Sequence, residues 1–321
     1  MKIESLALGE QIVNCVATIG SFDGVHQGHR CLLEQVRHIA DEQGLSAIAI
    51  TFGTSPKKVL GMADVSHLNA VNERTALLYQ SKMDEVVLLD FTPQMAAMSA
   101  RDFMQKVLKE QLHVAILVIG YDHRFGRGRS EGFDDYVRYG QEIGIKVVKG
   151  EACMNGDTPV SSTRIRHLLN DGKVEEATQL LGYRYALQGE VVGGYQEGRK
   201  MGFPTANIRP LCCDKLIPAD GVYAVYVNII DSEKGTPKQE SSSSSPLLGM
   251  LNIGYRPTLN NGQERSIEVH ILDYEGMLYG KTIIVKFAYR LRDEQTFSSP
   301  EELTRQLQKD KEKVRQLLIK Y

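Results

Sequence analysis

The first half of the chain alternates short apolar runs with stretches of helical periodicity, and this alternation constrains the fold more than any other feature. Apolar runs occur at residues 14–20, 46–52, 85–91, 114–120 and 145–150. Runs that are apolar at nearly every position are typical of strands buried on both faces, and strands that alternate with helices form parallel sheets. We therefore predict an α/β domain with a parallel sheet. The predicted helices span residues 28–43, 72–81 and 99–110.

From about Tyr183 the pattern changes to short strand-like runs separated by turn residues. These runs lie at 186–194, 221–230, 246–254, 265–272 and 281–291, and helical periodicity returns only at 300–321. The pattern predicts a small antiparallel β-barrel closed by a C-terminal helix. We therefore predict two domains, residues 1–182 and 183–321. The polar, low-complexity stretch at 233–246 is predicted to be a mobile loop between two strands.

Composition excludes several classes of protein. The net charge is −2 in 321 residues, so there is no basic excess for binding nucleic acid or anionic lipid. We find no apolar run of the length of a membrane span and no signal-peptide pattern. The five cysteines are an odd number and include no C-x-x-C, which argues against a disulfide framework or a structural zinc site. A cytoplasmic, reduced, soluble protein is the expectation.

Two loops carry most of the unusual residues of the first half. The loop "IGSFDGVHQGHR" (residues 19–30) follows the first predicted strand, and "IGYDHRFGRGRS" (residues 119–130) follows the fourth. Ligands of parallel sheets bind beyond the carboxyl ends of the strands. Both loops are therefore predicted to lie at the same, ligand-binding edge of the sheet.

The two histidines of the first loop allow three interpretations. His26 and His29 could cap a helix or lie on its surface, they could bind a metal, or they could contact phosphate groups. No third metal ligand is evident nearby. A helix N-terminus attracts anions, imidazoles can donate hydrogen bonds to phosphate oxygens, and Gly28 lets the backbone approach a bulky ligand. The order of strand, glycine-containing loop and helix favours phosphate binding.

Several motifs resemble those of a known family. "GSFDGVHQGH" resembles the H-x-G-H signature of the nucleotidyltransferase superfamily, and "PVSSTRIRHLL" resembles its second motif. "GRKMGFPTANI", "LNIGYRPT" and "IEVHILDYEGMLYG" resemble riboflavin kinase. Together, in this order, they resemble the bacterial bifunctional riboflavin kinase/FMN adenylyltransferases, or FAD synthetases. The resemblance covers nearly the whole chain and implies a Rossmann-like nucleotidyltransferase domain followed by a riboflavin kinase-like barrel.

For the first domain the resemblance implies transfer of adenylyl from ATP to FMN. His26 and His29 would face the ATP phosphates, and Phe125 would contact the flavin. The nucleotide-binding positions implied for this domain are Gly20, Phe22, Asp23, Gly24, Gly28, Asp122, Ser162, Thr163 and Arg166. From the residues alone, the serines and threonine of "SST" could also cap the helix that follows.

For the second domain the resemblance implies phosphorylation of riboflavin. Its hydroxyl is neutral and needs a proton acceptor, and the resemblance gives that role to Glu268. By alternation alone, Glu268 would be an ordinary outward-facing strand carboxylate. Thr205 and Asn207 would hold Mg²⁺ together with the ATP phosphates. Gly193, Gly194, Gly198 and Arg199 would form the nucleotide loop.

The chain departs from the family at "TFGTSP". The family usually has T-F-[DE]-P-H-P here, so that Gly53 replaces a carboxylate and Ser55 replaces a histidine. We therefore expect adenylyl transfer to be the weaker activity. Two alternatives to a bifunctional enzyme stay open at this point: a riboflavin kinase with a weakened or inactive adenylyltransferase domain, and a flavin-binding regulatory module without catalysis.

Overall fold

The computed structural model describes residues 3–5, 14–61, 66–121, 123–151, 154–155, 158–194, 198, 201–230, 245–257 and 263–319. The chain divides into two compact units, Met1–Ser162 and Thr163–Tyr321. A six-stranded sheet forms the centre of the first unit, and a closed six-stranded barrel forms the second. No helix within the described ranges is long and apolar enough to cross a membrane.

The first unit contains six sheet strands, a small hairpin and a series of helices. The sheet strands are β1 (Ile3–Ser5), β2 (Cys15–Ile19), β3 (Ser46–Phe52), β4 (Glu85–Leu89), β5 (Val114–Ile119) and β6 (Lys146–Lys149), and the hairpin is formed by β7 (Met154–Asn155) and β8 (Thr158–Pro159). The helices are α1 (Gln27–Gln43), α2 (Pro56–Val59), α3 (Val71–Gln80), α4 (Pro93–Ala96), α5 (Ala100–Phe103) and α6 (Phe133–Ile143), with a π-helical turn at Met104–Lys109 and a 3₁₀ turn at Arg127–Arg129.

The sheet order is β1-β4-β3-β2-β5-β6. The strands β4, β3, β2, β5 and β6 run parallel, as predicted, whereas β1 pairs antiparallel with β4 and was not predicted. Alternate residues of β2 enter different cores: Cys15, Ala17 and Ile19 pack in one cluster and Val16 in another. Both faces of the sheet are therefore covered, which confirms the α/β prediction.

The helices depart from the sequence prediction in several places. The predicted helix at 99–110 is split into α5 and the π-helical turn. The helix α6 was not predicted, because Gly140 interrupts its apolar periodicity. In the structure a Cβ at Gly140 would clash with the carbonyl oxygen of Ile145, so this glycine allows α6 to pack against the chain that leads into β6.

One cysteine departs from the expectation of a reduced chain. Cys31, in α1, is disulfide-bonded, whereas Cys15, Cys212 and Cys213 are free. The Gln35 side chain, one helical turn after Cys31, accepts a hydrogen bond from the backbone of Glu151 at 2.9 Å. The fold thus brings this face of α1 against the segment after β6. Cysteine spacing in the sequence carries no signal of that contact.

Within its described residues, the second unit has two helices before a barrel and one helix after it. The helix α7 (Ser162–Asn170) begins at the last residue of the first unit and is followed by α8 (Val174–Leu181). The barrel strands are β9 (Ala186–Val192), β10 (Ala206–Pro210), β11 (Gly221–Ile230), β12 (Leu247–Pro257), β13 (Gln263–Ile271) and β14 (Thr282–Arg292). The helix α9 spans Pro300–Leu318.

The barrel is antiparallel throughout and has the order β10-β13-β12-β11-β14-β9, closed by pairing of β9 with β10. Val314 and Leu318 of α9 belong to the same buried cluster as Val222 and Met250 of the barrel. Ser299 caps this helix, because its hydroxyl accepts a hydrogen bond from the amide of Glu302 at 3.3 Å. The predicted barrel and helix are confirmed, whereas most of the predicted mobile loop at 233–246 lies outside the described residues.

Side chains and backbone groups of α7 and α8 bind the barrel directly. The carboxylate of Glu175 accepts a hydrogen bond from the amide of Arg290 at 3.1 Å, and the carbonyl of Leu169 accepts one from the amide of Ala219 at 2.9 Å. Leu180 and Leu181 are buried. These contacts join residues 163–182 to the barrel in one compact unit, and the domain boundary at Tyr183 stays a prediction.

A pair of fragments tests how much stability α7 and α8 contribute. We expect residues 163–321 to unfold at a higher urea concentration than residues 183–321, because burial of each leucine side chain contributes about 1.5–3 kcal/mol. Circular dichroism during urea titration measures both midpoints. Equal midpoints would mean that α7 and α8 do not stabilise the barrel.

Candidate active sites

The loop after β2, residues 19–30, has an uncommon backbone. Phe22, Gly24 and Val25 have φ angles of 46°, 89° and 32°, and the amide of Val25 donates to the carbonyl of Phe22 at 3.0 Å. A left-handed conformation is costly for a β-branched residue, and such conformations concentrate at functional sites. The neighbouring strand β5 runs parallel to β2, so that the loop at 119–130 begins at the same edge of the sheet, as predicted.

His26 is the N-cap residue of α1. Its Nδ1 accepts a hydrogen bond from the amide of His29 at 3.3 Å. The capping interpretation is therefore correct for His26. A ring that accepts at Nδ1 carries its proton on Nε2 when it is neutral, so the other nitrogen is a hydrogen-bond donor. Capping and donation to a ligand are compatible in this tautomer.

The two imidazole rings are stacked. The ring centroids of His26 and His29 lie 3.6 Å apart with planes inclined by 15°, and Phe22 packs edge-on against His29. Burial lowers the pKa of His29 well below its ordinary value, and the charges of His26 and His123 lower it further. Nδ1 of His29 is enclosed and makes no hydrogen bond to any described residue. These effects all favour the neutral form of the His29 imidazole.

Glycine and carboxylate contacts hold this pair in place. A Cβ at Gly28 would lie 3.2 Å from the His26 ring and 3.2 Å from the carbonyl oxygen of Val160, so the missing side chain makes room for the cap. The carboxylate of Asp23 is buried and accepts hydrogen bonds from the amides of Leu68 and Asn69 at 2.9 and 3.3 Å. Asp23 thus fixes a neighbouring segment.

The second motif reaches the same loop. The hydroxyl of Ser162, the first residue of α7, donates to the carbonyl of Asp23 at 2.8 Å. Thr163 and Arg166 follow in the first turns of that helix, in the second unit. Ser162 connects the start of this helix with the histidine loop, a contact between residues 139 positions apart in sequence.

The remaining predicted residues of the first half lie in different surroundings. A Cβ at Gly20 would lie 3.2 Å from the ring of Phe22, which is buried. Phe125 stacks on Tyr136 with ring centroids 4.3 Å apart and packs against the apolar core. The described contacts of Phe125 are those of a core side chain. Asp122 lies outside the described residues.

The departure from the family motif lies next to a carboxylate from another strand. Gly53 follows β3 directly, and its amide donates to the carbonyl of Leu89 at 3.0 Å. A Cβ at Gly53 would lie 3.8 Å from Oδ1 of Asp90, an exposed residue that follows β4. The sheet therefore brings Asp90 beside the position where the family usually has an acidic residue.

In the second unit, the strand register places three polar residues in a row. Glu268 of β13 is opposite Asn207 of β10 on one side and Asn252 of β12 on the other. Directly opposed residues of an antiparallel ladder lie on the same face. The flanking residues Ile267 and Val269 are buried, so the row Asn207–Glu268–Asn252 lies on the outer face of the barrel wall. We call these three residues the polar row.

Glu268 is joined to the segment that precedes β10. Its Oε2 accepts a hydrogen bond from Oγ1 of Thr205 at 3.1 Å. Thr205 and Asn207 offer hydroxyl and amide oxygens, the hard donors that Mg²⁺ prefers when it takes few protein ligands and several phosphate oxygens. No group of three or more histidine, cysteine or carboxylate side chains in the described ranges could hold a metal ion. The residues present therefore suit a metal that is shared with a phosphate ligand.

The predicted glycines lie close to this site. A Cβ at Gly194 would clash with the amide of Asn207, and a Cβ at Gly198 would clash with the carbonyl oxygen of Phe203. Gly193 is exposed and has open space at its Cβ position. Arg199 lies outside the described residues. The missing side chains let the glycine segment lie against the start of β10.

Sequence reasoning missed two residues of this site. The amide of Asn252 donates to Oε1 of Glu294 at 3.3 Å, and Glu294 occupies the space above Gly254, where a Cβ would clash with its carboxylate. A second carboxylate thus lies at one end of the polar row. Only the strand register reveals it, because Glu294 follows β14 and has no local motif that marks it.

Comparison with known proteins agrees with this geometry. A family model described as FAD synthetase matches residues 9–164, and one described as riboflavin kinase matches residues 181–318. The bifunctional riboflavin kinase/FMN adenylyltransferase of Escherichia coli K12 is 35% identical over 297 residues, which cover 92% of this chain and 90% of the relative. That of Listeria monocytogenes is 34% identical and covers 96% and 94%.

A solved structure has the same fold. It is that of a protein named macrolide-efflux protein from Streptococcus pneumoniae, which is 33% identical, covers 94% of each chain and superposes with a TM-score of 0.83. That name implies a different activity from that of the curated relatives, and we attach the activity to the Streptococcus protein alone. Identity above 30% over nearly the whole length of the curated relatives decides the assignment: this chain belongs to the family of bifunctional riboflavin kinase/FMN adenylyltransferases.

Proposed function

We propose that this chain phosphorylates riboflavin to FMN with ATP and then adenylylates FMN to FAD with release of pyrophosphate. The observation that carries the proposal is the contact between Thr205 and Glu268 of the polar row, because it joins a carboxylate to hard oxygen donors at one place on the barrel. The comparisons favour the bifunctional enzyme over a kinase with an inactive first domain, since both family models match.

In the kinase step, the 5′-hydroxyl of riboflavin attacks the γ-phosphorus of ATP. The new bond joins that oxygen to phosphorus, the bond to the ADP oxygen breaks, and the hydroxyl proton passes to Glu268. A positioned general base of this kind typically contributes about 10²–10⁴ in rate. Asn252 and Glu294 lie at the far end of the row and are proposed to orient the hydroxyl-bearing substrate.

Thr205 and Asn207 are the proposed Mg²⁺ ligands. The hydroxyl of Thr205 donates its proton to Glu268, which leaves the oxygen lone pairs for the metal. When bound, Mg²⁺ neutralises charge on the phosphate oxygens of ATP. Gly193, Gly194, Gly198 and Arg199 form the proposed nucleotide loop, in which Gly193 leaves open space beside the backbone for a phosphate.

In the adenylyl step, a phosphate oxygen of FMN attacks the α-phosphorus of ATP and pyrophosphate leaves. The nucleophile is already an anion, so the protein needs to position two anions and stabilise charge and needs no base. His26 donates from Nε2 to a phosphate oxygen, and His29 supplies a second, neutral imidazole. The start of α1 adds its amides and positive dipole end.

The other predicted residues of the loop after β2 and of α7 have proposed roles of their own. Ser162, Thr163 and Arg166 bind phosphates at the start of α7, and the backbone of Gly20, Phe22, Asp23, Gly24 and Gly28 shapes the loop. Asp122 is proposed to lie near the nucleotide or flavin, and Phe125 is proposed to contact the flavin. The proposed partners are small molecules in the cytoplasm.

A single substitution separates the two reactions. We expect Glu268→Gln to reduce FMN formation from riboflavin by about 10²–10⁴, because it removes the proton acceptor, and to leave FAD formation from supplied FMN unchanged. Chromatographic separation of riboflavin, FMN and FAD measures both rates. Glu190→Gln is the matched control, since Glu190 is a barrel-strand carboxylate that pairs with Arg209 on the surface. Kinase turnover within a few-fold of wild type would remove Glu268 from its role.

A second set of variants tests the departure at Gly53. We expect FAD formation to be the slower activity, because a missing charge-stabilising group costs about 10²–10³ in rate where it contacts the transition state. Gly53→Asp with Ser55→His is expected to raise it. Adding Asp90→Asn is expected to increase the gain, since a carboxylate at Gly53 would otherwise face that of Asp90.

The measurement is the rate of FAD formation from FMN and ATP, with Asp90→Asn alone as the control. The loop would take no part in adenylyl transfer if wild-type FAD formation were as fast as FMN formation and none of the substitutions changed it.

A further inference from the structure

His270, which takes no part in the proposed reaction, contacts the segment that carries the proposed metal ligands. His270 lies two residues after Glu268 on β13, and its Nδ1 lies 2.9 Å from the carbonyl oxygen of Pro204. A carbonyl oxygen can only accept a hydrogen bond, so the neutral ring must carry its proton on Nδ1. The contact therefore fixes the tautomer of His270 as well as the position of Pro204.

The backbone ladder ends where this contact begins. The pairing of β10 with β13 starts at Ala206, opposite Val269, and continues to Asn207, opposite Glu268. Pro204 has no amide hydrogen and cannot extend the ladder by donating a hydrogen bond. Beyond the end of the ladder, the side chain of His270 binds the carbonyl oxygen of Pro204.

The ring is buried and packed from a second side. His270 is 6% exposed, and the ring of Phe203 packs edge-on against it with centroids 5.3 Å apart. Its Nε2 makes no hydrogen bond to any described residue, so Nδ1 makes the polar contact that orients the ring. Two alternate side chains of β13 thus bind consecutive residues of the turn: Glu268 binds Thr205, and His270 binds Pro204.

We propose that His270 is a positioning residue of the kinase site, which holds the turn Phe203–Thr205 so that the oxygens of Thr205 and Asn207 meet a metal–nucleotide ligand. This inference rests on the proposed kinase function. Buried polar side chains with a single carbonyl partner fix geometry, and a displacement of about 1 Å can cost about 10² in rate. His270 touches neither the substrate nor the metal in this account.

Two substitutions in the full-length chain distinguish positioning from packing. In Asn the amide nitrogen is as far from Cβ in bonds as Nδ1 is in histidine, so His270→Asn keeps a donor for Pro204. In Gln the amide lies one bond further out, so His270→Gln keeps polarity and more of the volume but moves the donor. His38→Gln is the matched control, since His38 is exposed on α1.

We expect His270→Gln to lower kcat/KM for MgATP in the kinase reaction by about 10–100-fold and His270→Asn to stay within about threefold of wild type. We expect affinity for Mn²⁺·ADP, measured by paramagnetic relaxation of water protons, to fall about tenfold in the Gln variant and to be kept in the Asn variant. FAD formation from FMN by the same preparations should be unchanged in both variants.

Each other outcome contradicts the proposal. Equal losses in the Asn and Gln variants that follow a lowered unfolding temperature would mean that His270 only packs. Unchanged kinetics and Mn²⁺·ADP binding in both variants would mean that the contact with Pro204 has no role in the site. A wild-type chain that forms no FMN would instead contradict the proposed kinase function, independently of His270.

Discussion

The second half of the structure depends on the pairing of β10 with its two neighbours. This strand of five residues, Ala206–Pro210, pairs with β13 on one side and β9 on the other, and so closes the barrel. The same register aligns Asn207 with Glu268. Without it the polar row would lose one end, and Thr205 would not reach Glu268. Barrel closure and the proposed kinase chemistry therefore rest on the same short ladder and on the two side chains of β13 that continue it.

In the first half, the proposed site lies at the N-terminus of the helix α1, which His26 caps. The loop backbone turns sharply between β2 and α1, and the proposed function requires the same loop to face anionic ligands. Gly28 makes room for His26 to cap the helix, and the capping bond sets the tautomer that leaves Nε2 as a donor. Capping and the proposed ligand binding therefore use different atoms of the same imidazole. The buried carboxylate of Asp23 joins this loop to the segment at Leu68 and Asn69 by accepting hydrogen bonds from their amides.

The local sequence was enough to predict the strands that bury apolar residues in a regular pattern. The strands at Ser46–Phe52 and Gly221–Ile230 have the predicted bounds, since their runs are apolar and end at polar or turn residues. The family motifs predicted Glu268, Thr205 and His26 as site residues. The short strand β1 depends on its antiparallel pairing with β4, and the π-helical turn after Phe103 and the disulfide at Cys31 likewise have no motif in the local sequence.

The same distinction applies within the sites. Alternation predicts that Glu268 is on the outer face, but only the register shows that Asn252 lies opposite it and that Glu294 lies beyond. The motif identifies Gly53 as a departure, but only the sheet order brings Asp90 beside it. Residues with a motif could be predicted, whereas their partners from other strands required the fold.

The central claim is that one chain carries two sites, one that forms FMN from riboflavin and one that converts FMN to FAD. The most direct measurement mixes two full-length variants, Glu268→Gln and His29→Ala, with riboflavin, MgATP and no added FMN, and follows FAD by chromatography. Each variant alone should make almost no FAD from riboflavin, and the mixture should make it at a rate that rises as FMN accumulates. A mixture that accumulates FMN without forming FAD, or a single variant that forms FAD as fast as wild type, would contradict the account.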